Sequence, residues 1–278
     1  MTISVHTNQA ALIALQNLNK TSSDLTNVQN RISTGLKVND AKDNASVWAI
    51  AQGQRADIGA LGAVKMSLDR ATSITDVTLA AGQSVSDLLV QIKAKVVAAM
   101  DPSIDTQSRT ALNSDFQSLM KQISQVIDSA TFDGANILNG SLAAPIQFIA
   151  SADAQSFITL SVKDMTLSGS IMSLGFAESL GTVTAATQAL TLLNSSLDAV
   201  NQALGEIGSQ AKQIEAHNTF VSKLNDVLET GVGNLVDADV AKESARLQAL
   251  QVQQQLGAQA LSIANTAPQI ILSLFRGG

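Results

Sequence analysis

The 278-residue sequence contains no cysteine and no tyrosine, and it has only one tryptophan and three prolines. The absence of cysteine excludes a disulfide framework and thiolate chemistry. Proline is the strongest breaker of helices, so its scarcity predicts long, uninterrupted helices. With 45% hydrophobic residues the chain can still bury a core, and its composition is not that of a disordered protein.

Clustered positive charge and long apolar runs are also missing. The net charge is −6 at pH 7, which argues against a nucleic-acid partner because phosphate binding needs clustered Lys and Arg. No segment approaches the ~18 apolar residues of a membrane span, so we expect no membrane partner either. The first apolar run, Ala10–Leu15, is short and polar residues follow it, so we expect no cleavable secretory signal.

No pattern of reactive side chains points to catalysis. The two histidines, His6 and His217, lie far apart in sequence and have no cysteine to complete a zinc site. Asp237 and Asp239 resemble the start of a calcium loop, but Lys242 stands where that loop needs glycine, so a helix cap is the better interpretation. No serine has the local sequence of a nucleophile elbow. We therefore predict no catalytic residue, no cofactor, no metal and no enzymatic activity.

Amphipathic helices are predicted at both ends of the chain. Residues 3–33 carry an apolar stripe at three- and four-residue steps, typical of one helix face: Ala11, Leu15, Leu18, Leu25, Val28 and Ile32. A last helix is predicted to begin near Asp237 or Asp239, with the stripe Ala249, Val252, Leu256, Ala260, Ile263, Ala267, Ile270 and Leu274. Their polar faces hold Gln, Asn and Ser rather than the Lys and Arg of membrane-surface helices, which favours helix–helix contacts.

Between the ends, the pattern first remains helical. A short helix is predicted to begin at Asp43 or Asn44 and to end near Arg55. A heptad pattern of about five repeats follows over residues 61–96. Several positions in this seam are small or polar, which suggests a closely approaching partner helix: Thr75, Thr78 and Gly82. After Asp101 and Pro102 end this helix, Asp105 can cap a third one.

The pattern changes over residues 131–184, which are rich in Gly, Ser and Thr. Two short segments, 146–148 and 158–162, alternate with a period of two and predict a β-hairpin. A strict seven-residue repeat then extends over residues 190–228, with polar members that set helix register in coiled coils: Asn218 and Asn225. Gly231 and Gly233 are predicted to break this helix.

The resulting fold is mainly α. We expect a long antiparallel helical rod or coiled coil in which the N- and C-terminal helices pair, with a small β-hairpin region at the outer tip. Residues 1–45 and 235–278 would form one terminal coiled-coil domain. Residues 46–234 would form an outer helical bundle with its β-region at about 131–184.

Short motifs at both ends resemble the signatures of bacterial flagellins. RISTGLKVNDAKDNASVWAIA, residues 31–51, resembles the family's loop signature, whose key positions here are Arg31, Ser33, Gly35, Asn39 and Asp43. Thr7-Asn8-Gln9 resembles the family's opening, and Phe132-Asp133-Gly134 is similar to the turn after its third helix. Asp237-Ala238-Asp239, together with Ala264-Asn265 and Pro268-Gln269, matches its terminal signature. The matches bracket the whole chain in the family's order.

The resemblance implies a structural subunit of the flagellar filament, in a short form without large inserted outer domains. The terminal helices would line the filament channel, and their stripes would form the subunit interface. The chain would be exported unfolded by the flagellar type III apparatus, without a cleavable signal peptide, and polymerise outside the cell. Its partners would be other copies of itself, sister flagellins, the export machinery and an export chaperone, the filament cap and the hook–filament junction proteins.

Some members of the resembled family carry O-linked sugars on exposed outer residues. In this sequence the corresponding candidates lie in the Ser- and Thr-rich stretch that follows the third helix: Ser151, Ser156, Thr166, Ser168 and Ser170. The alternative for this stretch is a plain polar loop.

Two other functions remain open on the sequence. A hook–filament junction protein resembles flagellin at both ends, although its middle is usually less regular. A cytosolic amphipathic coat protein on lipid or polymer granules would belong to a different class, and it would not need the loop signature at residues 31–51.

Overall fold

The computed structural model describes the backbone of residues 7–276 and the side chains of residues 7–266. In this part of the chain the elements are α1 (Gln9–Thr34), α2 (Ala45–Ala99), α3 (Thr106–Ser129), β1 (Ile146–Ile149), β2 (Phe157–Leu160), α4 (Val183–Val236) and α5 (Val240–Arg276). The two strands pair antiparallel, with Ile149 opposite Phe157. The prediction of a mainly helical chain with one small hairpin is confirmed.

The chain divides into two compact units. One comprises Met1–Ala56 and Val227–Gly278, and the other comprises Asp57–Asp226. Both boundaries fall inside long helices, because α2 and α4 each contribute residues to both units.

The predicted short helix ending near Arg55 is wrong, because α2 runs without a break from Ala45 to Ala99. Asn44 caps it, since its Oδ1 accepts from the Val47 amide at 3.2 Å. Asp43 instead folds the preceding loop, where its Oδ2 accepts from the Asn39 amide at 2.9 Å. Helix continuity costs little here, because each interior glycine is unfavourable by only about 1 kcal/mol relative to alanine.

The predicted break at Gly231 and Gly233 is also wrong, because α4 continues to Val236. Val232 and Val236 are buried there, so packing outweighs the weak helix propensity of the glycines. The last helix begins at Val240, and Asp239 rather than Asp237 caps it, with Oδ1 accepting from the Lys242 amide at 3.1 Å.

In the unit Asp57–Asp226, α2 and α4 pack antiparallel with a constant register. Ser86 donates to Asn201 Oδ1 at 3.1 Å, and Asn218 donates to Asp69 Oδ1 at 2.7 Å. The two bonds are separated by equal numbers of residues on both helices, so the register does not slip between them. The heptad positions of α4 fill the core as predicted: Leu193, Val200, Ile207, Ile214 and Val221 are buried.

One glycine sets how closely these helices approach. A Cβ at Gly82 would collide with Cδ2 of Leu204, so the backbone of α2 lies directly against a side chain of α4. This agrees with the close partner suggested by the small residues of the α2 seam.

Helix α3 is tied to the end of α2 by a buried arginine. Arg109 donates to the Ala99 carbonyl and, through Nη2, to the Asp101 carbonyl at 3.0 Å. The Ala99 carbonyl is one that the end of α2 leaves without a helical partner, and Asp101 lies two residues beyond that end. Asp105 caps α3 as predicted, accepting from the Ser108 amide at 2.6 Å.

The β-hairpin is anchored on both long helices. The Ile149 amide donates to Ser67 Oγ on α2 at 3.1 Å, and His217 Nε2 on α4 lies 2.7 Å from the Ala150 carbonyl. His217 therefore has a structural partner.

We expect opposite effects from two alanine substitutions in α2. Gly62→Ala should raise the free energy of unfolding by about 0.5–1 kcal/mol, because its Cβ meets open space and alanine favours the helix. The free energy of unfolding of the Gly82→Ala variant should be about 1–3 kcal/mol below that of the Gly62→Ala variant, because Leu204 must move to make room for the new Cβ. Urea unfolding followed by circular dichroism measures both. Equal stabilisation by the two substitutions would show that the helices are not held at this distance.

Candidate functional site

Helices α1 and α5 pair antiparallel within one unit. At one end, Asn8 donates from Nδ2 to the Ala264 carbonyl at 2.7 Å, and at the other, Arg31 Nη1 lies 3.3 Å from Glu243 Oε1. Between them the helices come close at a glycine, since a Cβ on Gly257 would lie 3.3 Å from Cδ1 of Leu18. The two helices therefore face each other along most of α1.

On α1, the less exposed residues recur in alternating steps of three and four, which is a coiled-coil seam. The seam consists of Ala11, Ala14, Leu18, Thr21, Leu25, Val28 and Ile32. Five of the six predicted α1 stripe residues lie on it, whereas Leu15 does not and is 42% exposed. Only Thr21 and Val28 are buried in this helix.

On α5, the seam toward α1 is not the predicted stripe. The less exposed residues are Leu247, Leu250, Gln254, Gly257, Leu261 and Ala264. The predicted stripe is a second apolar face and is exposed in the single chain; we call it the outer stripe, and its described members are Ala249, Val252, Leu256, Ala260 and Ile263. The side chains of Ala267, Ile270 and Leu274 lie outside the described residues.

Sequence reasoning missed the seam because Gln254 and Gly257 interrupt its apolar pattern. The alternating three- and four-residue spacing from Leu247 to Ala264 was the signal that could have revealed it. Leu18 lies opposite Gly257. Because the helices are antiparallel and both seams advance in steps of three and four, Leu25 then lies opposite Leu250 and Val28 lies opposite Leu247.

The outer stripe is large and uncharged. Leu256 is 59% exposed and Ile263 is 70% exposed. From Ser244 to Thr266 the only charged side chain is Arg246. Another face of α5 is polar without charge and is also exposed: Gln248, Gln251, Gln255, Gln259 and Ser262. Helix α5 thus carries a seam, an apolar outer stripe and a neutral polar face.

A groove of about 920 Å³ runs along one side of the helix pair. Its lining includes small residues from both helices: Ala10, Ala14, Gly257, Ala260 and Ala264. Ile13 of α1 and Leu256 of α5 are the large apolar residues that line it, and Lys20 and Asp24 of α1 also contribute. The groove therefore joins the outer stripe to one flank of α1.

The loop after α1 forms backbone hydrogen bonds with the junction of α4 and α5. Gly35 ends α1 in the left-handed region at φ 73°, and its carbonyl accepts from the Ala238 amide at 2.8 Å. The Lys37 amide donates to the Val236 carbonyl at 2.7 Å. Of the other signature residues, Asn39 and Asp43 bond to each other within the loop, and Ser33 is exposed.

An ion pair joins the C-terminal end of α1 to the N-terminal end of α5. Glu243 is buried and its Oε1 meets Arg31, but its Oε2 is buried and has no hydrogen-bond partner among the described residues. A buried carboxylate needs its cationic partner, so Arg31 and Glu243 hold this end of α1 and α5 together.

The five serine and threonine residues predicted as sugar sites differ in their surroundings. Ser151 Oγ donates to Asp153 at 2.5 Å and lowers the pKa of that carboxyl, and Thr166 Oγ1 donates to Asp164 at 2.6 Å. Ser156, Ser168 and Ser170 are exposed.

Among the residues whose positions the structure describes, no three His, Asp or Glu side chains are grouped closely enough to hold a metal ion. The described helices also include none that is long and apolar enough to cross a membrane. His6 lies outside the described residues.

Two family models match the chain. The bacterial flagellin N-terminal helical region matches residues 5–143, and the bacterial flagellin C-terminal helical region matches residues 190–275. The chain is 57% identical to flagellin FljJ of Caulobacter vibrioides over the full length of both proteins. It is 40% identical to a flagellin of Brucella melitensis, with 99% of each protein covered.

Solved structures show the same fold at low identity. A flagellin of Bacillus cereus matches 56% of this chain and 88% of its own, with a TM-score of 0.50 at 18% identity. A putative flagellar hook-associated protein of Vibrio parahaemolyticus matches 70% of this chain and 100% of its own, with a TM-score of 0.59 at 11% identity. At such identities the likeness concerns the fold alone.

Proposed function

Because the chain belongs to the bacterial flagellin family, we infer that it is a structural subunit of the extracellular flagellar filament and polymerises with copies of itself. The observation that carries this function is the exposed outer stripe of α5, which the chain's own helices leave uncovered. Relatives of matching length identify the chain as a short flagellin without large inserted domains.

The outer stripe has the chemistry of a subunit interface. Burying a large aliphatic side chain contributes about 1.5–3 kcal/mol, so Val252, Leu256 and Ile263 together represent a substantial gain on contact with another copy. Contiguous exposed apolar surfaces of this kind mark interaction sites on soluble proteins. The predicted stripe residues of α1 would join this interface mainly by holding α5 in place.

We propose that residues 1–45 and 235–278 form the inner domain that lines the filament channel, and that residues 46–234 form the outer domain. The neutral polar face of α5 supports this arrangement, because Gln and Ser side chains offer a passing chain neither apolar contacts nor charge. A channel lined in this way would let other subunits move through it.

We further propose export without a cleavable signal peptide, and binding to the export machinery, an export chaperone, the filament cap, the hook–filament junction proteins and sister flagellins. The absence of cysteine and the few prolines suit a chain that travels unfolded, since disulfide exchange cannot delay refolding and only three bonds are subject to slow proline isomerisation. The family is structural, and we propose that the chain has no catalytic turnover.

The alternative functions are not favoured. The hook-associated protein shares the fold at 11% identity, whereas the relatives at 57% and 40% identity are flagellins over their whole length. A granule coat protein would not account for matches at both ends of the flagellin family.

Charge in the outer stripe should block polymerisation. Leu256→Asp and Ile263→Asp should each abolish elongation of filament seeds, because an aspartate in an apolar contact must be desolvated without a partner. Gln255→Asp is the matched control, since it adds the same charge on the neighbouring polar face. Electron microscopy of seeded reactions measures filament length. Normal elongation by both stripe variants would remove the stripe from the interface.

The terminal helices should gain most of their stability from neighbouring copies. Helix α1 has 26 residues but only two buried side chains, whereas ordering the backbone costs about 1–2 kcal/mol per residue. We expect amides of Leu247–Ile263 to exchange with solvent much faster in the monomer than those of Leu190–Val221, and to become protected in the filament. Hydrogen–deuterium exchange measures this, and equal protection in the monomer would contradict it.

Any O-linked sugar should be attached where a hydroxyl is free. We expect modification at Ser156 or Ser168 rather than at Ser151 or Thr166, whose hydroxyls donate to carboxylates, or at Ser170, whose hydroxyl donates to the Asp164 carbonyl at 3.5 Å. Peptide mass spectrometry of native filaments locates the added mass. An unmodified intact mass would instead support the plain polar loop.

A further inference from the structure

The only Asn-Gly pair of the sequence, Asn139 and Gly140, occupies a turn in the loop after α3. Just before it, the Leu138 carbonyl accepts from the Met165 amide at 2.8 Å. Gly140 is in the left-handed region at φ 67°, and a Cβ there would lie 3.0 Å from Cγ of Asp164. Both the backbone conformation and the available space therefore require glycine at this position.

An Asn-Gly pair can react with itself. The backbone nitrogen that follows an asparagine can attack the side-chain Cγ and close a succinimide ring. A side chain on the following residue obstructs this approach, and glycine has none. The residue type that the turn requires at position 140 is thus also the one that leaves the attacking nitrogen unhindered.

The geometry of the turn favours this attack. Asn139 Oδ1 accepts from the Ser141 amide at 3.0 Å, which is an Asx turn that folds the side-chain amide back over the following backbone. The same donor stabilises the negative charge that develops on Oδ1 as the ring closes. The Gly140 amide donates to none of the described residues. Gly140 and Ser141 are exposed, so hydroxide and water can reach the reacting atoms.

We propose that Asn139 is a site of spontaneous covalent modification, at which the folded chain converts asparagine into aspartate and isoaspartate. The Gly140 nitrogen loses its proton to hydroxide and bonds to Cγ of Asn139, the Cγ–Nδ2 bond breaks, and Nδ2 leaves as ammonia. One water then opens the succinimide. Cleavage at Cγ gives aspartate, whereas cleavage at the main-chain carbonyl gives isoaspartate. The reaction needs no other reactant, and it does not depend on whether the chain polymerises.

The modification changes both charge and backbone at this turn. The product carries one more negative charge, next to the glycine that contacts the Asp164 carboxylate. Isoaspartate also adds one carbon to the backbone directly after the pairing of Leu138 with Met165. Because ammonia is lost to the solvent, the change is irreversible and older copies of the chain become distinguishable from new ones.

Asn136 provides a matched comparison within the same loop. Its Oδ1 also accepts from the amide two residues on, that of Leu138, at 2.8 Å. It differs from Asn139 in being buried and in being followed by the branched Ile137. If an exposed glycine at the next position is required, only Asn139 should react.

The test follows the wild-type monomer during incubation in water enriched in heavy oxygen, at neutral and at mildly alkaline pH, with a parallel sample in concentrated urea. Peptide mass spectrometry with fragmentation that separates aspartate from isoaspartate measures the rate at each asparagine. We expect both products at Asn139, each carrying heavy oxygen, and a faster rate at the higher pH. The native rate should equal or exceed the rate in urea, because the turn already holds the reacting atoms together. In the native chain, Asn136 should react at least about ten-fold more slowly than Asn139, a difference of ~1.4 kcal/mol in activation free energy.

Three outcomes would overturn the proposal. A native rate at Asn139 more than about ten-fold below the rate in urea would show that the turn protects the asparagine. Aspartate without isoaspartate would show direct hydrolysis, with no attack by the backbone. Equal rates at Asn136 and Asn139 would remove the role of glycine.

Asn139→Gln tests the ring directly, since a longer side chain would have to close a larger and less favourable one. This variant should keep the circular dichroism spectrum of the wild-type chain and lose the modification at position 139. Modification of the folded variant at the wild-type rate would contradict the mechanism. The wild-type measurements decide the proposal in any case, because they need no substitution.

Discussion

Close approach of antiparallel helices at a glycine is the constraint on which both units depend. In one unit a Cβ on Gly82 would collide with Leu204, and in the other a Cβ on Gly257 would lie 3.3 Å from Leu18. In each case a leucine side chain of one helix occupies the space that a side chain at the glycine of the other helix would need. Because heptad seams repeat every seven residues, one such contact fixes which residues meet along the rest of the pair. The constant register between Ser86–Asn201 and Asp69–Asn218 is the result in the first unit.

The two helix pairs nevertheless differ in what they bury. The core around α2, α3 and α4 contains large side chains that are almost fully buried, such as Leu89, Phe116 and Met120. The seam of α1 combines two alanines and a threonine with four larger aliphatic residues, of which only Val28 is buried, and α5 contributes Gln254 and Gly257 to it. Small residues allow the helices to approach but remove little apolar area from water. The pair α1–α5 therefore specifies register more strongly than it provides stability, which is why we propose that contacts with other copies stabilise it.

The sequence predicted elements well where one signal dominated. Strict heptads predicted α4, period-two alternation predicted the hairpin, and Asp105 predicted the start of α3. It failed where a local signal competed with packing. Gly231 and Gly233 look like a helix end, yet the burial of Val232 and Val236 keeps α4 helical. For α5 the strongest apolar pattern proved to be the exposed stripe, because the seam facing α1 tolerates glutamine and glycine. Periodicity finds an apolar face but cannot say whether its own chain or another covers it.

That ambiguity follows from the design of α5. A helix in a monomer needs one apolar face, directed at its own core. A helix that must also bind other copies needs a second one, and a helix that borders a channel needs a third face without apolar or charged groups. If the seam of α5 were as apolar as the outer stripe, the helix would be apolar over most of its circumference and would aggregate before assembly. Gln254 and Gly257 limit the apolar area that α1 and α5 bury between them, and the larger apolar face of α5 stays on the surface, where we propose the subunit interface. With the proposed interface, composition sets the order of burial: α1 would align α5 first, and neighbouring copies would stabilise it afterwards.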